Sequence, residues 1–241
     1  MASLFGKTAV VTGASSGIGA AIALALANEG VKLHLVGRNR ETLNNVSERA
    51  RENAPELVPY QADLSVDEDL EKLTLALKRN CTGVDVLVHC AGIISLAPVE
   101  SAPISDFDQQ YKTNVRAPFV LTQALLPALR MSHGSIVFIN SSAGMATRAN
   151  ISQYAATKHA LKAVADSLRA EVNQADIRVL TIYPGRTASP QQAAIFKIEG
   201  KPYTPELLMQ PADVAQILID ALKVNRSAEV TDISIRPMRK T

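Results

Sequence analysis

The chain has 241 residues, 47% of them hydrophobic, with 25 basic against 23 acidic side chains. That length and composition suit one globular domain with a sizeable core, and the near balance of charge excludes a field built to attract nucleic acid or an anionic membrane. Cys81 and Cys90 are the only cysteines and lack a C-x-x-C spacing, so neither a disulfide framework nor a zinc site is expected.

No long apolar segment precedes the first strand, and the most apolar run, AAIALALA (20–27), is too short to span a bilayer. A soluble, cytoplasmic protein is expected. KTAVVT (7–12) reads as a buried strand and leads into TGASSGIG (12–19), which opens a helical pattern over 17–29. There Gly13 permits a sharp turn, Gly17 a close approach of backbone to phosphate, and Gly19 tight helix–strand packing. The spacing, G-x-x-x-G-x-G, differs from the G-x-G-x-x-G fingerprint, but it sits on the first strand-to-helix turn. Free N–H groups at a helix start attract an anion, so the loop, with Ser15, Ser16 and Ile18, is the candidate seat of a dinucleotide pyrophosphate.

VKLHLV (31–36) is the second strand and runs into Gly37, Arg38, Asn39 and Arg40. An acidic residue at that end would bind an adenosine ribose; here there is none, and Arg38 can pair with a 2′-phosphate. The expected cofactor is therefore NADP(H). Helical patterns follow over 40–53, 66–80, 106–130, 152–174 and 212–224. Between them lie strands at 84–89, 135–140 and 177–183, with weaker ones near 57–61 and 229–235. Short apolar strands joined by helical crossovers predict an α/β, doubly wound parallel sheet of about seven strands, a Rossmann-type fold with helices on both faces, within one domain over 1–241.

Residues 184–211 hold five of the twelve prolines and no strand pattern, and they leave from a strand end. They are expected to be a structureless lid over a substrate. Ile195, Phe196, Tyr203 and Met209 there, with Ile93, Ile94 and Met145, suggest a partly apolar pocket, although they could equally pack the lid itself.

Tyr154 and Lys158 lie four apart in a helical pattern and share a face. An ammonium about 5 Å from a phenol, at an effective dielectric near 20, favours phenolate by roughly 3 kcal/mol. Tyr154 could then exchange a proton with an alcohol or carbonyl oxygen while hydride moves at carbon, and a serine hydroxyl could hold that oxygen.

TGASSGIG, Asn114 in TNVRAPF, YAATK (154–158) and PGRT (184–187) fall in the order found in the short-chain dehydrogenase/reductase family, which the chain resembles over nearly its whole length. The resemblance implies a catalytic set of Asn114, Ser141, Tyr154 and Lys158. Aligning Ala143-Gly144 with the family's Ser-Ser-x-Ala-Gly makes Ser141 the catalytic serine and Ser142 the spacer. It further implies that Asn114 holds a water in a proton relay and that Lys158 binds nicotinamide ribose. Asp63 and Leu64 would meet adenine, Ala91 and Gly92 the cofactor through backbone, and Thr187, after Pro184 and Gly185, the carboxamide. Cys90 stands where the family often has Asn, which would loosen the sheet locally; His89 is expected to be structural. A small carbonyl or alcohol substrate, and a homodimer or homotetramer, complete the expectation. Two alternatives are a catalytically silent NADP(H)-binding regulator or scaffold and an epimerase or dehydratase using the same tyrosine.

Overall fold

The computed structural model describes residues 2–239. Seven strands form one parallel sheet in the order β3-β2-β1-β4-β5-β6-β7. They are β1 Thr8–Thr12, β2 Lys32–Gly37, β3 Leu57–Gln61, β4 Val86–His89, β5 Ser135–Ile139, β6 Arg178–Pro184 and β7 Asp232–Ile235. The helices are α1 Gly17–Asn28, α2 Arg40–Ala50, α3 Asp67–Asn80, α4 Ile104–Tyr111, α5 Ala117–Met131, α6 Ser152–Val172, α7 Pro190–Ile198 and α8 Pro211–Leu222.

Strand alternation builds two cores. Val11, Leu33, Leu35 and Val137 point to one face and pack with Ile22 and Leu26 of α1 and Leu218 of α8. Val10, Leu87, Ile136 and Phe138 point to the other, against Leu73 of α3, Leu121 of α5 and Leu161 of α6. Both faces of β4 and β5 are therefore buried, which explains why these strands read as unbroken apolar runs. The strand order reverses between β1 and β4, and the crevice outside their carboxyl ends is where this architecture can take a ligand.

Two elements depart from the sequence reading. The helix expected over 106–130 is two helices, α4 and α5, joined by a π-helical turn over Lys112–Arg116. Pro118 explains the break: in a continuous α-helix it would donate to the Asn114 carbonyl, and it has no N–H. The stretch 184–211 is not structureless either. It carries α7, whose N-cap Ser189 accepts from the Gln192 N–H at 3.1 Å and whose first residue is Pro190. It is further tied by a Thr187–Met209 bridge. No helix among the described residues is long and apolar enough to cross a membrane.

Candidate active site

The chain leaves β1 through Gly13, at φ 69°, and enters α1 through Gly17, at φ 53°. A Cβ on Gly13 would lie 2.7 Å from the Ala91 nitrogen, and one on Gly19 would lie 2.1 Å from the Gly13 carbonyl oxygen. Only glycine permits the loop to fold this tightly against the end of β4. The result is a cleft of about 470 Å³, with Gly13, Ser15, Ser16, Gly17, Ile18 and Gly19 along one wall. Ser16 is the N-cap of α1 yet its side chain makes no cap hydrogen bond, so its hydroxyl stays available to a ligand. Ala91 and Gly92 form the floor, and Arg38, Asp63 and Leu64 stand at one end.

At that end the Arg38 guanidinium lies 3.6 Å from an Asp63 oxygen and is 65% exposed, free to swing onto an anion. The other Asp63 oxygen accepts from the Ser65 N–H and hydroxyl at 2.9 and 2.7 Å. Burial works against the Asp63 carboxylate, but those bonds and Arg38 hold its pKa below the usual value. Gly37 fills the position after Val36 with no side chain, and a Cβ there would sit 3.0 Å from that of Ser15. The cleft thus offers backbone donors, hydroxyls and an exposed cation at the β2 end, where β2 supplies no acid and the Asp63 contact is a loose one, a fit to a dinucleotide with an additional phosphate.

Tyr154 and Lys158 sit on the first turns of α6 and line the same cleft. The Lys158 ammonium is 5.8 Å from the Tyr154 ring centroid and donates to the Ile139 carbonyl at 3.2 Å. Burial pulls the Lys158 pKa down to about 8, with Cys90 acting in the opposite direction. The expected depression of the Tyr154 phenol is not found. Burial raises it, and only the neighbouring Ser141 hydroxyl pulls it down. The ammonium faces the ring rather than pairing with the phenol oxygen, so burial of the phenol is not offset by a direct charge contact.

Ser141, at the end of β5, is the serine that interacts with Tyr154; its hydroxyl also accepts from the Ala143 N–H at 3.1 Å. Ser142 is exposed and begins a 3-10 turn. Asn114 is fully buried beneath the cleft. Its amide grips Ile93 at both ends, accepting from the N–H and donating to the carbonyl at 2.9 Å each, and donates to Thr157 at 3.0 Å. A Cβ on Gly92 would lie 3.4 Å from the Asn114 oxygen and 3.6 Å from the Lys158 nitrogen, so these two groups flank one point of the floor.

Not every predicted residue reaches the cleft. Asn114, Ser141, Pro184, Gly185 and Thr187 do not line it, and the Thr187 hydroxyl donates to the Gly185 carbonyl at 3.2 Å. Ser189 and Gln191, at the start of α7, line it instead. Phe196 and Tyr203 pack on Ala188 and Leu208 within the stretch 184–211.

Three other residues carry structure that the sequence reading missed. The Thr12 hydroxyl donates to the Val88 carbonyl at 3.3 Å and accepts from the N–H groups of Cys90 and Ala91 at 3.1 and 3.2 Å. That knot ties β1 to the end of β4. Asn140 donates to the Lys158 carbonyl at 3.1 Å, fixing α6 to β5. Ser189 both caps α7 and faces the cleft; its signal was the Ser-Pro pair. Burial drives the Cys90 thiol up to about 12, and Lys158 offsets this only in part, so it stays protonated. His89 is structural, bonded to Thr122 at 2.8 Å and stacked on Phe138, and burial lowers it to about 3.

A model of the short chain dehydrogenase family matches residues 7–200. An uncharacterised oxidoreductase of Staphylococcus aureus is 30% identical over 239 residues, covering 99% of this chain and 100% of the relative. Among solved structures, an alcohol dehydrogenase from the archaeon Thermococcus sibiricus, complexed with 5-hydroxy-NADP, superposes with a TM-score of 0.88 at 26% identity, covering 98% of each chain. L-sorbose reductase from Gluconobacter frateurii, complexed with NADPH and L-sorbose, also gives 0.88 at 26% identity, covering 99% of this chain and 98% of its own.

The Thr12 knot has a measurable weight. Thr12→Val keeps the shape but strands two backbone donors, and urea unfolding is expected to show a loss of about 1–3 kcal/mol. A loss under about 0.5 kcal/mol would contradict the assignment.

Proposed function

The chain belongs to the short-chain dehydrogenase family of oxidoreductases, and on that footing we propose that it is an NADP(H)-dependent enzyme interconverting a carbonyl and an alcohol on a small substrate. The observation that carries the reading is the presence of Tyr154, with Ser141 beside it, and Lys158 in a cleft that also holds Arg38, where β2 itself supplies no acid. The NADP- and NADPH-bound relatives agree with that cofactor. NADPH, when bound, supplies the hydride.

The protein's own residues manage the oxygen. A Tyr154 phenol with a raised pKa is protonated at neutral pH and serves as the acid for carbonyl reduction. Ser141 holds the substrate oxygen against it. Lys158 holds ribose hydroxyls and, while charged, eases the loss of the phenol proton. Asn114, whose carbonyl Pro118 leaves without its α-helical donor, holds a water that passes protons towards Lys158 on this reading. The stretch 184–211, carrying α7, acts as the lid. Exposed Phe107, Tyr111 and Phe119 on α4 and α5 favour association into a homodimer or homotetramer.

Two measurements test the reading. Arg38→Ala should weaken NADPH binding at least about tenfold while changing NADH binding little, as expected for one lost charge-assisted phosphate pair. Equal losses for both would overturn the cofactor assignment. Lys158 loses its charge as pH rises through about 8, so kcat/KM for carbonyl reduction should fall above that pH. A profile flat from about pH 6 to about pH 10 would contradict the role of the ammonium.

A further inference from the structure

Outside the cofactor cleft, a cluster of four charged side chains gathers around Glu199, just past the end of α7. Arg186 reaches it with one guanidinium nitrogen, 3.0 and 2.8 Å from its two oxygens. Arg148 reaches one oxygen at 2.7 Å, and Lys201 stands 3.7 Å from the other. Three cations share one carboxylate. Burial opposes the Glu199 charge, but hydrogen bonds from Arg186 and Arg148 overcome it and keep the group ionised, so two positive charges remain uncompensated within the cluster.

Its location is specific. Arg148 lies between Ser141 and Tyr154 in sequence, on the loop that joins them. Arg186 follows the carboxyl end of β6, on the strand-end side of the sheet. Helix α7 begins at Ser189 and Gln191 in the cleft and ends beside Arg148, so the Arg148–Glu199 pair spans from the serine–tyrosine loop to the lid. A simple clasp between loop and lid would need one cation. Here a second guanidinium is stacked 4.6 Å from the centre of the Phe196 ring, with its Nη1 atom buried and without a hydrogen-bond partner. Arg186 is thereby fixed in place behind Glu199, and the exposed Arg148 is the guanidinium left open to solvent.

Resting on the carbonyl-reductase reading above, we infer that this cluster is a substrate-anion site, selecting carbonyl compounds that carry a carboxylate or similar anionic group away from the reacting carbon. Arg148, whose side chain is 52% exposed, receives the anion, while Glu199, itself held by Arg186, fixes the Arg148 guanidinium. Neutral compounds of the same shape leave the excess charge unmatched and gain nothing from it.

The test compares carbonyl acids with their methyl esters as substrates of the NADPH-loaded enzyme: 4-oxopentanoate, 5-oxohexanoate and 4-acetylbenzoate, which span several carbonyl-to-carboxylate spacings. At least one acid should exceed its ester in kcat/KM by about tenfold or more, the weight of one charge-assisted pair. In Arg148→Met that ratio should fall towards one. Esters turned over as well as acids in every pair, or a ratio that survives Arg148→Met, would overturn the anion site and leave the carbonyl-reductase reading standing. If NADPH binds but no acid or ester is reduced, the carbonyl-reductase reading fails and the anion site with it.

Discussion

The turn at Gly13 passes so close to the end of β4 that a single added methyl carbon would collide with the Ala91 backbone, and the rest of the site depends on that approach. It is possible only where the sheet order reverses, because there the connections from β1 and β4 run to opposite faces and leave a crevice between them. The Thr12 hydroxyl holds the two strand ends together from inside. Above this knot, the start of α1 brings its unpaired N–H groups to the crevice wall, and Ala91 and Gly92 bring backbone to its floor.

The opposite end of the crevice is organised by burial rather than by a dense set of ion pairs. Lys158 is 3% exposed and nevertheless carries an ammonium, held by the Ile139 carbonyl on one side and anchored through its own carbonyl by Asn140. Asn114 supports the same floor by gripping the Ile93 backbone. Desolvation brings the lysine to about 8 and raises the tyrosine, which moves the two groups apart in acidity. The phenol therefore rests protonated at neutral pH, and the ammonium is the group that gives up its proton more readily.

Much of this was legible in the sequence because the signals were local. Alternating strands and helices gave the doubly wound sheet, and the glycine spacing marked the first turn. The positions of Ser141, Tyr154 and Lys158 followed from motif order. What escaped was non-local or two-sided. Thr12 is an ordinary β-strand residue until the end of β4 is placed against it. The π-helical turn required weighing one proline against a long helical pattern, and α7 was hidden by the density of prolines around its Ser189-Pro190 start. The tyrosine's acidity was misjudged because a spacing of four residues sets a shared face but not the direction of an ammonium or its loss of solvent.

The central claim is that Tyr154 delivers the proton while the cleft independently holds the cofactor. NADPH titration and carbonyl reduction, both measured on Tyr154→Phe, test it most directly. The account predicts NADPH affinity within about threefold of the unaltered protein and a loss of turnover of about 100-fold or more, the usual weight of a general acid. Turnover kept near its original rate would contradict it.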